Sequence, residues 1–491
     1  MEANVKSLAK EVSHMKVVSS YAVRIQDHRR AIKATIDIYR AATAFVIDVV
    51  NKEWDALGPI YKKDKRLCKT ALEHLIHKTA KNPNPKYDFD GKFYKMPSYF
   101  RRAVMATAIG AVSSYRSSLA NWEAGGRQGR EPKLTYDRDV MPVFYKDNTS
   151  LSEDMLNGDS DTVYLKLFVN KDWVWVPIQC RHQDTKYLAK WWRGVKASAP
   201  TLEMERRKGR RNNVFYLRYA FEEQRDLSLR DEPLEARTIL SVDLGTNNDA
   251  VCSVMCADGT VLGRRFINFP REKDRLQHLL NRFRREQREH GRTGGRRTWD
   301  TVNNINSQLT TLIANAIVGM AVEYAVNVIV FEALNFHGKI KGRKKQRIHM
   351  WRKRAIQDMV EHKAHRNLIR VSRVCAWGTS RLAFDGSGEI LRGWVTLSKA
   401  EIAKLSAMTA AERKKAKGRP GTRCGQELCT FQNGKEYNCD LSASYNIGAR
   451  YFLREWCKVI PGLEDKLPKT TLRTYANLKN LKLQFASAAA A

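Results

Sequence analysis

Residues 238–269 read TILSVDLGTNNDAVCSVMCADGTVLGRRFINF. Turn signals at Asn247-Asn248 and Asp258-Gly259 cut this stretch into three apolar runs of strand length, which predicts three consecutive strands joined by tight turns. A basic helical stretch broken by GRTGGRR follows, then a long helix from about Trp299 to Tyr324 and the strand VNVIVFEAL. Strands followed by helix and strand imply a mixed sheet with helical cover, and this order constrains the second half of the chain more than any other feature. The first strand ends in Asp243, immediately before Leu244-Gly245-Thr246. Either that aspartate holds a metal or the Gly-Thr turn holds a phosphate.

Charge narrows the choice. Lys and Arg number 87 against 52 Asp and Glu, a formal net charge of +35, and the excess is spread along the whole length. Such a surface attracts a polyanion and gains counterion-release free energy on neutralising phosphates, so nucleic acid leads the partner classes. No run of 18 or more apolar residues and no long basic amphipathic segment favours a membrane. The opening MEANVKSLAKEVSHMK lacks the apolar core and cleavage site of a secretory signal, so a cytosolic address is expected. Nine cysteines, an odd number, agree with reduced thiols, and Cys68, Cys180, Cys252, Cys256 and Cys457 read as small hydrophobes. Cys252 and Cys256 share one strand face, where packing explains them.

The first half is patterned differently. MKVVSSYAVRI alternates as a half-buried strand, and about a hundred helical residues follow, with Ile32, Ile36, Tyr39, Ala42, Phe45, Val46, Val49 and Val50 at helical spacing. After Leu134, VYLKLFV, WVWVPIQC and NVFYLRYAF return to β-branched and aromatic strand character between turn clusters. The expectation is a small β-barrel or sheet carrying a helical insertion. Charged EEQRDLSLRDEPLEAR, with Pro233, separates the halves as a linker.

In the phosphate reading, ILSVDLGTNN resembles the strand and glycine turn of actin, Hsp70 and sugar kinases, with LAFDGSGE (residues 382–389) as a second loop. LAFDGSGE, however, lacks a long apolar strand before it, no third glycine-rich loop follows, and an ATPase has no use for the charge. The rival reading is a ribonuclease H-like nuclease, which needs carboxylates on three separate elements around two divalent cations. Hard Mg²⁺ or Mn²⁺ selects oxygen ligands, hence Asp and Glu. Asp243 ends the first strand, Glu332 ends VNVIVFE, and Asp440 opens the helix DLSASYNIGARYF. Asp243 alone could be a turn residue and Asp440 a helix N-cap. Glu332, directly after Val328-Ile329-Val330-Phe331, is too costly to bury without water, a cation or a metal.

SVDLGTN, VFEALNF and NCDLSASYNIGAR, in that order, resemble the three split RuvC motifs of type V CRISPR effector nucleases and of their transposon-encoded TnpB relatives. Length and the order of elements look most like the miniature subtype V-F effectors. The motif match spans about residues 238–456, with Asn446-Ile447 matching the close of the third motif; the likeness of the first half is one of architecture. The resemblance implies a multidomain α+β and α/β chain: a wedge-like β-barrel (1–25 and 130–225), an inserted helical recognition lobe (26–129), a linker (226–237), RuvC motifs I and II (238–374), a nucleic-acid-loading insert (375–438), motif III (439–460) and a tail (461–491). It implies Asp243, Glu332 and Asp440 as catalytic ligands of two Mg²⁺ or Mn²⁺ ions, a guide RNA and target DNA as partners, a homodimer on one guide RNA, no membrane, and a prokaryotic cytoplasm. The rivals that keep part of this are a TnpB-type nuclease and a guide-dependent DNA binder without cleavage.

Relatives carry paired C-x-x-C knuckles between motifs II and III, and this chain has none. Cys375, Cys424, Cys429 and Cys439 number enough for one tetrahedral zinc site, but the expectation is a degenerate knuckle held by Trp377, Phe384 and Trp394. GKIKGRKKQRIHMWRKRAIQDMVEHKAHR (residues 338–366) reads as a basic loop entering a helix. It could be a solvated face or, directly after Glu332, a nucleic-acid groove in which Arg343, Lys344, Lys345, Arg352 and Arg354 contact phosphates and Trp351 stacks or packs. Arg373, Arg381 and Arg423 in and beside the insert are further candidates for steering a strand inward.

Overall fold

The computed structural model describes residues 14–136, 140–144, 150–205, 213–227, 232–245, 248–291, 295–333, 352–409, 412 and 427–481. They form a mixed α/β multidomain fold with two compact units. One comprises Val18–Glu223, the other Gln224–Ala491 with Met1–Val17.

In the first unit the apolar stripe at helical spacing becomes α1 (Arg29–Lys52), which buries Ile32, Ile36, Tyr39, Val46 and Val50. Its main partner is α4 (Ser98–Ala124), and between them α2 (Trp54–Lys63) and α3 (Lys65–Ile76) turn the chain around. Tyr39 meets Phe100 edge-on at 5.6 Å. The alternating segments are strands: β1 (His14–Arg24), β2 (Thr162–Val169), β3 (Asp172–Gln179), β4 (Thr201–Glu205) and β5 (Val214–Asp226). They make an open sheet ordered β1-β5-β4 and a β2-β3 hairpin, joined by a bridge between Ile25 and Cys180. Among the described residues neither sheet closes into the barrel read from the sequence. The chain leaves β3 into a helix, α5 (His182–Trp192), and the free edge of β2 is covered by α1, where Phe168 N–H donates to Thr35 Oγ1 at 2.9 Å. A covered edge has no further strand to recruit.

The second unit is built on a five-stranded sheet ordered β10-β9-β6-β7-β8, from β6 (Thr238–Asp243), β7 (Ala250–Cys256), β8 (Val261–Ile267), β9 (Val328–Ala333) and β10 (Arg370–Cys375). β10, β9 and β6 run parallel, while β7 and β8 fold back as the consecutive hairpins that the turn signals predict. Helices cover both faces, which is why β6 and β9 read as nearly unbroken apolar runs. The period of two assigns the faces. Leu240, Val242, Ile329 and Phe331 pack under α7 (Arg296–Glu323) and α8 (Lys353–Arg366) through Ile313, Ile317, Ile356 and Val360. Ile239, Val328 and Val330 face α10 (Cys439–Val459) through Tyr445, Ile447 and Phe452. α6 (Pro270–His290) is basic and buries only Leu276 and Leu280. α7 alone among the described helices is long and apolar enough to cross a membrane, but its Leu309, Ile313, Ile317 and Met320 belong to this core.

Between β10 and α10 a small subdomain is formed by β11 (Leu391–Arg392), β12 (Leu428–Thr430) and β13 (Glu436–Asn438), with α9 (Lys399–Ala407) capped by a reciprocal Ser398/Glu401 box. The proposed second phosphate loop lies here as a tight hairpin. The Asp385 carboxylate accepts from Ser387 N–H at 3.0 Å and Ser387 Oγ at 2.7 Å, so its turn is closed on itself.

α10 approaches the sheet where Gly448 leaves room. A Cβ on Gly448 would stand 3.0 Å from Met255 Sδ and 3.2 Å from Ser241 Oγ. Gly448→Val is therefore expected to cost about 1–3 kcal/mol, measured as a lower denaturation midpoint, and Met255→Ala in the same chain should recover part of it; an unchanged midpoint in Gly448→Val would contradict the close approach.

Candidate functional site

Asp243 and Glu332 arrive at one place by register. β6 and β9 pair in parallel with Ser241 opposite Val330 and Val242 opposite Phe331, so the next position on each strand is Asp243 and Glu332. By alternation both share the face of Ile239 and Val328, the face that α10 covers. Asp440 lies in the first turn of α10. It is not the N-cap, because Asn438 takes that role and accepts from Leu441 N–H at 2.9 Å. The Asp440 carboxylate is thereby left for other partners.

The three carboxylates are 5%, 7% and 5% exposed for Asp243, Glu332 and Asp440. Burial first, and then repulsion from Glu332 and Asp440, holds the Asp243 carboxyl well above the usual carboxylate range, against the attraction of Lys353 and Arg392. Lys353, in the first turn of α8, is pushed down to about 8 by burial, although all three carboxylates pull it up. Three buried acidic groups thus face two cations, of which Arg392 reaches solvent.

Glu332 and Asp440 are also positioned by hydrogen-bonding neighbours. Thr379 Oγ1 donates to Glu332 Oε1, and Gln357 Nε2 donates to the Glu332 carbonyl at 3.0 Å. Thr379 is held in turn by Asn446, whose Nδ2 donates to the carbonyls of Thr379 at 3.0 Å and Leu382 at 2.9 Å, while its Oδ1 accepts from Tyr475 N–H. Asp440 accepts from Arg392 Nη2 at 2.9 Å and from Asn248 Nδ2 at 3.4 Å. Gly245 brings its turn against this group: a Cβ there would meet the Asn248 carbonyl at 2.6 Å and Asp440 Oδ2 at 3.4 Å. Lys353, Thr379, Arg392 and Asn248 were not singled out from sequence. Asn248 reads only as a turn residue, Lys353 as one basic residue among many, and Thr379 and Arg392 carry no local signal.

All-oxygen donors with a surplus of negative charge fit divalent Mg²⁺ or Mn²⁺ better than a soft metal. Among the described residues no three His, Cys, Asp or Glu side chains are already gathered tightly enough to enclose an ion, and the carboxylates are instead engaged by Thr379 and Arg392.

The cysteine candidates divide. Cys429 and Cys439 are buried together in a small apolar core with Ala383, Ile390 and Phe431, against Phe384 and Tyr437. The neighbouring Cys439 thiol, and then burial, push Cys429 up, while Cys439, beside the Cys429 thiol and Arg392, is lowered. Cys375 ends β10, and its carbonyl accepts from Arg450 at 2.8 Å; Cys424 lies outside the described residues. Of the expected knuckle supports, Phe384 joins this core, Trp394 packs with Leu391, Ile402 and Leu405, and Trp377 is exposed.

Among the basic candidates, Arg352 precedes α8 and donates to Ser307 Oγ at 2.7 Å. Arg354 is exposed on α8, and Arg381 pairs with Glu389 and lies over Trp377. Arg373 is engaged by Glu361 at 2.6 Å and by Gln357. Arg343, Lys344, Lys345, Trp351 and Arg423 lie outside the described residues, as does Thr246 of the opening turn.

Comparison with known proteins gives three kinds of match. The model of the Aq_aa04 family matches residues 19–169. An uncharacterized protein aq_aa04 of Aquifex aeolicus (strain VF5) is 25% identical over 152 residues, 29% of this chain and 86% of that protein. A TnpB-like protein aq_aa05 of the same organism is 27% identical over 143 residues, 26% of this chain and 47% of that protein. Similar solved structures include a Cas12f1-sgRNA-target DNA complex, with TM-score 0.42 and 13% identity over 85% of this chain and 81% of that one. Another is the mini-RNA-guided endonuclease CRISPR-Cas_phi3, with TM-score 0.45 and 10% identity over 90% and 94%. The TnpB-like relative carries the name of one of the groups that the sequence motifs resemble, while the family model matches residues outside those motifs.

The electrostatics of Asp243 make a stability prediction with a definite sign. A carboxyl whose folded pKa is raised binds its proton more tightly when folded, so it costs stability in full above its raised folded value, and the cost fades as pH falls from there to the unfolded carboxylate range near pH ~4. In EDTA at neutral pH, Asp243→Asn should raise the melting midpoint by about 2–6 °C, with the gap closing toward acid pH. A lower midpoint for the variant at neutral pH would show that the cluster is not repulsive.

Proposed function

We propose that this chain is an RNA-guided DNA endonuclease that hydrolyses phosphodiester bonds at Asp243, Glu332 and Asp440. The observation that carries the reading is the convergence of three buried carboxylates from β6, β9 and α10 at the carboxyl end of adjacent parallel strands. This is the donor arrangement a ribonuclease H-like nuclease of the RuvC type requires. When bound, two Mg²⁺ or Mn²⁺ ions held by these residues would activate the attacking water and stabilise the leaving 3′-oxygen.

The chain's own groups have separate tasks. Asp243 is repelled by both of the other carboxylates. Thr379 fixes the rotamer of Glu332, and Asn446 fixes the loop that carries Thr379. Arg392 and Asn248 hold Asp440. Lys353 lowers the negative potential that a polyanionic substrate would otherwise meet at the site.

The net charge of +35 supports a chain that holds guide RNA and target DNA by phosphate and shape contacts, with sequence delegated to base pairing. The first unit would then act as wedge and recognition lobe, the small subdomain would guide the strand, and a second copy could share the guide, all in a prokaryotic cytoplasm. A transposon-associated role is the second reading, favoured by the 27% identity to the TnpB-like protein. Sequencing the RNA that copurifies with the chain separates the two.

The test is cleavage of duplex DNA matching that RNA, with Mg²⁺ or EDTA. Asp243→Ala should abolish cutting while RNA and target binding persist, and residual cutting by this variant would sink the assignment. Thr379→Val should slow cutting about 10–100-fold at unchanged target affinity, and Thr379→Ser should restore most of it. Equal rates for Val and the parent would remove Thr379 from the site.

A further inference from the structure

The helix α5 carries two adjacent tryptophans with opposite fates. Its buried side holds Asp184, Leu188 and Trp192, and Trp192 stacks on Phe221 at 4.6 Å. Trp191 is 56% exposed and Tyr187, one turn earlier, is 42% exposed. Packing accounts for the first indole and not for the second. Scattered exposed aromatics are ordinary, but these two are neighbours on one helix face, 6.4 Å apart between ring centroids.

The pair is also held in place. Tyr21 of β1 stacks on Tyr187 at 4.6 Å with an interplanar angle of 19°. The Tyr21 hydroxyl donates to Asp184 Oδ1 at 3.1 Å. Asp184 is buried and accepts from Arg24 N–H at 2.9 Å and Arg181 Nε at 3.0 Å. Tyr21 is therefore fixed from below, and it backs one face of Tyr187, so the exposure of Tyr187 belongs to the other face and the rim. Lys186 and Lys190, both exposed, flank the rings on the same turns, and Lys190 Nζ lies 5.1 Å from the Trp191 centroid.

We infer that this ledge of Tyr187 and Trp191 on α5 is a stacking site for unpaired bases of RNA, with Lys186 and Lys190 drawing in the phosphates. Rigid aromatic faces flanked by cations match an unpaired strand, whose bases are free to stack, and do not match a duplex, whose bases are covered. RNA is the occupant because its loops and bulges present splayed bases without prior strand opening. This choice rests on the reading of the chain as a carrier of guide RNA.

The test uses the full chain freed of nucleic acid and three labelled 12-nucleotide probes: unpaired RNA, the same RNA as a duplex, and unpaired DNA of the same sequence. In fluorescence anisotropy, Tyr187→Ala with Trp191→Ala should weaken binding of unpaired RNA about 10–100-fold, change the duplex less than about twofold, and leave the salt dependence of binding unaltered. Tyr187→Phe with Trp191→Phe should retain affinity for unpaired RNA. Lys186→Ala with Lys190→Ala should instead reduce the salt slope by about one. Unchanged affinity for unpaired RNA in the alanine variant, or an equal loss on duplex, overturns the stacking site. A loss on DNA as large as on RNA overturns the choice of RNA. No cleavage is read in this assay, so a chain that binds through the ledge and cuts nothing would sink the nuclease reading alone.

Discussion

The repulsion among three buried carboxylates is the constraint around which the second unit is arranged. A carboxylate removed from water without compensation is expensive, and here three are brought to the end of one sheet. Compensation comes from elements far apart in the chain: Lys353 from α8, Arg392 from β11, and Thr379 from the loop after β10. If the sheet register slipped by one residue, Asp243 and Glu332 would face the helical core of Ile313 and Val360 instead. The same alternation that buries Val328 and Val330 therefore also aims the chemistry.

Much of this sheet was legible in the sequence. The Asp258-Gly259 turn and the apolar runs announce β6, β7 and β8, and VNVIVFEAL announces β9, because each signal is local. β10 was not read as a strand, since RVSRVC carries arginines that meet polar partners. The barrel expected in the first half rests on strand content alone, and strand content does not say which edges pair. Thr35 on α1 meeting the edge of β2 is a long-range contact with no local signature.

The site was legible as acids and hidden as everything else. Glu332 stands out because a charge directly after Val328-Ile329-Val330-Phe331 has few explanations, and Asp243 and Asp440 gain weight from their order with it on three separate elements. Lys353 was lost among the basic residues of its segment; its difference is burial, and burial by a distant sheet cannot be read from neighbours in sequence. Thr379, one of many threonines, matters only because Asn446 and Glu332 hold it from either side. The aromatic ledge was missed for a related reason: KYLAKWWRGVK reads as a mixed helix, and only the packing of Trp192 distinguishes it from Trp191.

Asn446 joins the carbonyls of Thr379 and Leu382 to the backbone of Tyr475, and Arg450 likewise binds the carbonyls of Cys375, Trp377, Thr471 and Arg473. Contacts of such long sequence separation form late, because loop closure must precede them. On a ribosome the strand bearing Asp243 is made more than two hundred residues before the segment that completes the clasp over Glu332. The order of synthesis thus becomes an order of assembly in which the acidic centre is the last part of the unit to be locked.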